Sequence, residues 1–145
     1  MKRFLTLIPL LIIFSLFETT VQAQEPTLYK RIGGYDAIVA VTNDFVGRLV
    51  TNKDLSRFFV GMSDDSKIKV SSHIINLVCK VTGGSCPYTG RDMKTVHTGL
   101  HITENDWTIM AGLFSETLNK FNVPKKEQDE LFTIVGSVKK DIVGK

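Results

Sequence analysis

An all-helical domain is predicted by three features of this sequence. Apolar residues recur at spacings of three and four. No segment alternates apolar and polar residues for long enough to make a strand. Glycines, prolines and capping residues punctuate the apolar stripes. At 145 residues the chain has room for one compact domain with a real core, and for no second one. Neither an internal repeat nor a low-complexity tract interrupts it.

The amino end differs in kind from the rest. Lys2 and Arg3 precede an uncharged, apolar run from Phe4 to Phe17, and Val21-Gln22-Ala23 places small residues three and one positions before a cut. This is the grammar of a secretory signal peptide, and the run is too short for a comfortable permanent span. The expected organisation is a cleaved signal peptide over 1–23 and one domain over 24–145, exported to a periplasm or secreted, with no stable membrane span after cleavage. Loss of Lys2, Arg3 and Glu18 lowers the formal charge from +3 to +2, a balance that argues for neither a nucleic-acid nor a membrane-surface partner. In an oxidising compartment Cys79 and Cys86, on either side of Gly83-Gly84, can form a disulfide or remain as two thiols. Their spacing suits neither a zinc site nor a CxxC redox pair.

Taken in order, Thr27 is expected to cap a short helix over 28–32 that Gly33-Gly34 stops. Ile38, Val41, Phe45 and Leu49, with Val46 alongside, form the stripe of a strong helix that Asn52-Lys53-Asp54 ends. Residues 55–59 read as a helical turn. A loop then offers Ser63, Asp64 or Asp65 as caps for a helix over 66–81. That helix carries Val70, Ile74, Leu77, Val78 and Val81 on one face, and His73 shares the face, so its imidazole is expected to point inward. After a Gly-rich stretch, a short helix around 92–98 carries His97 and stops at Gly99. Thr103-Glu104-Asn105-Asp106 resembles a capping box and opens a long helix with Trp107, Met110, Ala111, Phe114, Leu118 and Phe121 inward. Asn122-Val123-Pro124 turns the chain into a last stripe of Leu131, Phe132, Val135, Val138 and Ile142.

The chain has no GxSxG, no HExxH and no phosphate-binding GxxxxGK[ST]. His73 and His97 stand on different elements with a loop between them that can fold one across from the other. Two neutral imidazoles facing across an apolar gap suit a metal carried in a flat apolar cofactor, since haem iron is commonly held by a histidine. Zinc fits poorly, because the remaining candidate, His101, has no partner at ligand spacing. From spacing alone the alternative stands beside this: His73 a hydrogen-bonded core histidine, His97 an exposed loop residue.

The residues resemble a known family. Leu28-Tyr29-Lys30-Arg31-Ile32-Gly33-Gly34 is similar to the opening of the group I truncated haemoglobins. Phe58-Phe59 with Gly61, then Gly83-Gly84, then Tyr88 through His97 and Gly99, resemble the family's later landmarks in the same order, so the resemblance covers 28–143. It implies a globin-like, truncated two-over-two helical sandwich holding haem b (iron protoporphyrin IX), with His97 as the proximal iron ligand. Tyr88 and Lys94 match positions near the haem propionates. Phe59 matches the aromatic packing on the haem face. Met93, Ile102, Trp107 and Met110 match the proximal side and floor, although ordinary core would read the same way.

The distal side departs from the family pattern. Many members carry a tyrosine directly after the phenylalanine of the second helix and a glutamine on the distal helix. Here Phe45 is followed by Val46, and Ile74 stands at the glutamine position. Val70, Leu77 and Val78 are also aliphatic, Val78 at the position of a phenylalanine gate in some members. None of these can donate to a bound gas, which removes roughly 1–3 kcal/mol of retention per well-made charge-assisted bond. His73 matches a position from which some cyanobacterial members coordinate the iron, and so is expected to be a displaceable sixth ligand or a hydrogen-bond donor. The function implied is an exported haem protein, monomeric or weakly dimeric, that binds dioxygen, nitric oxide or carbon monoxide. Nitric oxide dioxygenation fed by an unidentified reductant is the enzymatic version. Electron transfer or redox sensing through bis-histidine iron, or a helical interaction domain without cofactor, are the other classes.

Overall fold

A computed structural model of the protein describes residues 25–145; the expected signal peptide over 1–23 lies outside the described residues. Six α-helices follow one another: α1 (Leu28–Arg31), α2 (Gly34–Thr51), α3 (Asp64–Val81), α4 (Met93–His97), α5 (Glu104–Lys120) and α6 (Lys125–Ser137). Two 3-10 turns, Ser56–Phe59 and Lys139–Asp141, complete the described residues, among which there is no strand. The pair α2/α3 stands beside α5, which Phe114 on Phe132 and Asn119 with Gln128 tie to α6, and the short α1 joins α2 to α6.

The helix starts follow side-chain capping. The Ser63 hydroxyl accepts from the Ser66 N–H at 3.2 Å, so α3 begins at Asp64, two residues earlier than its apolar stripe indicates. Asp92 caps α4 through the Thr95 N–H at 2.9 Å. The capping box at α5 is complete: Thr103 Oγ1 accepts from the Asp106 N–H, and the Asp106 carboxylate accepts from the Thr103 N–H. Two expectations fail. The Thr27 side chain makes no cap; its backbone carbonyl takes the Lys30 and Arg31 N–H groups instead. And α6 ends at Ser137, so Val138 and Ile142 reach the interior from the 3-10 turn and its flank rather than from a continuous helix.

Few apolar side chains are fully buried. One cluster joins Leu28, Leu118 and Leu131, with Phe114 and Phe132 stacked edge-on beside it at 5.3 Å. The other joins Ile38, Ile75 and Cys79. Polar clamps hold the helices outside these clusters. The Asp44 carboxylate on α2 accepts from Arg48 at 2.7 Å, from Thr117 of α5 at 3.2 Å and from Lys120. Arg31 of α1 reaches Glu127 and Glu130 of α6. Arg57 forks onto Asp106 with two bonds of 2.7 Å. Burial alone would raise the Asp106 carboxyl, but Thr103 and Arg57 hold it below the ordinary carboxylate value.

Cys79 and Cys86 are joined, with Cα atoms 5.8 Å apart, inside the usual range for a disulfide. Gly83, at φ +95°, and Gly84 make the turn between them. A Cβ on Gly84 would lie 2.6 Å from Cys79 Sγ and 2.9 Å from its carbonyl oxygen, so only glycine fits there.

Two predictions follow from these restraints. Lys120 and then Arg48 hold the Asp44 carboxyl down to about 2. Its contribution is therefore present above the ordinary carboxylate pKa and is lost as pH falls through about 2. Asp44→Asn is expected to cost about 1 kcal/mol at neutral pH. In urea titrations the gap from the parent protein closes between about pH 4 and pH 2, whereas a gap independent of pH would contradict the ion-pair account. For the disulfide, the Cys79→Ser/Cys86→Ser pair, or reductant, is expected to cost about 2–3 kcal/mol by loop entropy. The denaturant midpoint of the parent protein with and without reductant measures it.

Candidate functional site

A cavity of about 770 Å³ lies between the α2/α3 pair and the segment from α4 to α5, near the upper end of the roughly 300–1,000 Å³ usual for small-molecule sites. Phe45 and Val46 of α2, with Val70, His73, Ile74, Leu77 and Val78 of α3, form one wall. Met93, His97, Ile102, Trp107 and Met110 form the facing wall, and Phe59 and Tyr88 line its sides. Periodicity explains the first wall: these residues recur at helical spacing on two helices packed against each other. The second wall depends on two short devices. The Asp92 cap starts α4, and a backbone strap from the C-terminus, His101 N–H to Lys145 O and Gly144 N–H to Ile102 O, closes the segment after it.

His97 is the best-defined side chain in the cavity. Its Nδ1 lies 2.7 Å from the Met93 carbonyl oxygen, one turn back on α4. A carbonyl only accepts, so in the neutral ring Nδ1 carries the proton and Nε2, the other nitrogen of this cavity-lining side chain, keeps a lone pair. That is the tautomer and orientation a metal ligand needs. The reading of His97 as an exposed loop residue is thereby set aside, since it is half-buried and helical.

His73 differs from the inward imidazole expected from the stripe. It lines the cavity yet is an exposed residue, so it stands at the mouth, with its ring edge-on to Tyr88 at 6.3 Å. The reading as a hydrogen-bonded core histidine has no partner to support it among the described residues. Tyr88 donates its phenol proton to the Arg91 carbonyl at 2.7 Å, and its ring folds over Gly90, where a Cβ would collide with it. Lys94 is exposed on α4 and does not line the cavity, because α4 turns Met93 and His97 toward it and Lys94 outward. Arg91 lines it instead, a residue that spacing could not single out because it precedes the helix. The disulfide lies behind the wall, packed with Ile38 and Ile75.

Other lining residues passed in the sequence for plain core or went unnoticed: Phe114, Val138 and Ile142 from the interior stripes, and Thr42 and Asp106. Among the described residues no group of three His, Cys, Asp or Glu side chains could hold a bare metal ion. The donor set is thus one imidazole in an apolar chamber with a polar mouth, which fits a flat apolar ligand that brings most of its own metal ligands.

Comparison with known proteins agrees with this geometry. The sequence profile of the family described as Bacterial-like globin matches residues 27–143. The chain is 29% identical over 121 residues to the Group 1 truncated hemoglobin GlbN of Mycolicibacterium paratuberculosis, covering 83% of this chain and 87% of that one. It is 26% identical to the Group 1 truncated hemoglobin LI410 of Chlamydomonas moewusii, over 81% and 68% of the two chains. Among solved structures, the truncated hemoglobin of Tetrahymena pyriformis in its Fe(III) form superposes with a TM-score of 0.76 at 20% identity, over 83% of this chain and all of that one. The 2/2 hemoglobin of Synechococcus sp. PCC 7002, solved in the cyanomet state with covalently attached heme, gives 0.74 at 27%, again over 83% and all. A profile match across nearly all the described residues, on a two-over-two helical frame with one imidazole turned into its cavity, establishes that this chain belongs to the bacterial-like globins, among the group I truncated haemoglobins.

Proposed function

We propose that this chain is an exported haem protein that takes a diatomic gas, dioxygen, nitric oxide or carbon monoxide, at iron held by His97. One observation carries the reading: the His97 Nδ1–H bonded to the Met93 carbonyl, which leaves Nε2 of this cavity-lining side chain its lone pair. Haem, when bound, would supply an iron that His97 would hold and that could take a gas or a second histidine. The b-type group fits, because Cys79 and Cys86 are joined to each other and no other cysteine remains for a thioether link. Met93, Ile102, Trp107 and Met110 would exclude water from the His97 side of such a group, and Phe59 would pack against it. At the mouth Arg91 and Tyr88 are the side chains suited to carboxylates, although the Tyr88 proton is engaged with Arg91 O. Val46, Val70, Ile74, Leu77 and Val78 donate nothing. His73 is the displaceable sixth ligand, favoured by its place on the cavity wall at the mouth.

Export is supported by the Lys2-Arg3 and Phe4-to-Phe17 pattern together with the disulfide, which an oxidising compartment preserves. No described helix is long and apolar enough to cross a membrane. A second reading, electron transfer or sensing through bis-histidine iron, rests on the same His73 and requires a reductant from outside the chain. Nitric oxide dioxygenation requires one too, and export separates the protein from cytosolic reductases.

Absorbance spectra of the purified protein, oxidised and reduced, with and without carbon monoxide, test these readings. His97→Ala is expected to lose haem during purification; retention of an unchanged spectrum would contradict the assignment. His73→Ala is expected to convert a six-coordinate resting spectrum into an open or water-bound one and to speed carbon monoxide binding by about tenfold, a change of about 1.4 kcal/mol. A parent protein whose sixth position is already open, and which the substitution leaves unaltered, removes His73 from the iron.

A further inference from the structure

Thr42 sits on α2 one turn before Val46, is 4% exposed and lines the cavity. Helical threonines elsewhere in this chain return the hydroxyl to the carbonyl one turn back: Thr51 to Gly47 at 2.8 Å, Thr108 to Glu104 at 3.0 Å and Thr133 to Asp129 at 2.8 Å. Thr117, also buried, gives its hydroxyl to Asp44. Thr42 alone among the buried threonines, which also include Thr82, forms no side-chain hydrogen bond with the described residues. Among the described residues no side-chain oxygen that is wholly sealed lacks a partner, so the Thr42 oxygen meets open space, and the space this side chain lines is the cavity.

With no protein partner, this hydroxyl can be met only by water or by a ligand in the cavity, and valine would fill the same volume without offering a donor. Its neighbours on this wall, Phe45, Val46, Ile74 and Val78, offer neither donor nor acceptor. His73 stands at the exposed mouth. We propose that Thr42 is the hydrogen-bond donor of the gas site: its O–H is directed into the chamber and donates to a small neutral ligand that carries lone pairs. This rests on the haem reading given above. It also refines the ligand class. Dioxygen draws negative charge from ferrous iron and gains most from such a donor, whereas carbon monoxide gains least.

The test uses the full exported chain and the variants Thr42→Val, which keeps the shape and removes the hydroxyl, and Thr42→Ser, which keeps the hydroxyl. Before haem is added, Thr42→Val is expected to unfold at a urea midpoint equal to or above the parent's; a lower midpoint means that the hydroxyl has a protein partner and overturns the proposal. With haem bound, Thr42→Val is expected to raise the dioxygen dissociation rate about tenfold, the size of one hydrogen bond. It is also expected to move the infrared stretch of the carbon monoxide complex to higher frequency, while Thr42→Ser keeps the parent values. A haem-loaded Thr42→Val that matches the parent in both readouts overturns the role of Thr42 and leaves the haem reading standing. A parent protein with no haem absorbance overturns the haem reading and this proposal with it, yet leaves the urea result as an independent record of the unpartnered hydroxyl.

Discussion

Everything in this fold answers to one constraint: four main helices must stay apart around a chamber of about 770 Å³ rather than collapse into it. An ordinary helical bundle is held by interdigitated apolar side chains, and a void forfeits those contacts on every face that lines it. Among the described residues only eight apolar side chains are buried, six of them in two small clusters, while Val46 and Leu55 line the chamber itself. The restraint is supplied at the periphery. Asp44 ties α2 to α5, Arg31 ties α1 to α6, Arg57 ties the first 3-10 turn to α5, and the disulfide ties the end of α3 to the loop beyond it. These clamps fix distances between helices without filling the space between them, and a ligand that fills the chamber adds its own binding energy to the folded state.

The two walls are held differently, and the difference bears on the two histidines. His97 lies on a five-residue helix, far too short to persist alone. It is fixed by the Asp92 cap at one end, by its own bond to Met93 O, and by the packing of α4 against the 3-10 turn Lys139–Asp141. Residues 139–145 thus help support the wall that carries His97. His73 lies in the middle of an 18-residue helix that is anchored along its length by α2 and at its far end by the disulfide. Its ring has solvent on one side and Tyr88 on the other. One imidazole is oriented by a hydrogen bond to its own helix, and the other, without one among the described residues, borders both the cavity and solvent.

Most of the frame was legible in the sequence, because helical spacing and capping are local. The stripes of α2, α3, α5 and α6 read from neighbouring residues, apart from Val81 and Phe121, which are exposed at helix ends, and Val138 and Ile142, which lie beyond α6; the capping box at Thr103 and the stop at Gly83-Gly84 read the same way. The family landmarks ending in His97 fall on the cavity wall that faces α3. What was not legible depends on partners distant in sequence. Nothing local marks Asp106 as the target of Arg57, 49 residues away, or Asp44 as the meeting point of α2 and α5. The same limit explains His73: its stripe gives the face it shares but not that, at this position, only the edge of Tyr88 stands over it and the ring stays exposed. Arg91 rather than Lys94 reaches the cavity because the turn into α4 sets their directions, and no periodicity governs a turn.

Thr42 marks where pattern reading stops and accounting of hydrogen bonds begins. In the stripe of α2 it is a small polar residue one turn from both Ile38 and Val46. Buried, it resembles valine in shape and differs only in one hydroxyl, whose usual acceptor is the carbonyl one turn back. That this bond is made by Thr51, Thr108 and Thr133 and not by Thr42 says that the hydroxyl's direction is set by something other than the helix. In a chamber whose other distal side chains are aliphatic, one donor is enough to make one orientation of a polar guest better than the rest. The distal wall is therefore not simply a family wall with its polar groups deleted; its polarity has moved, outward to His73 at the mouth and one turn back along α2 to Thr42.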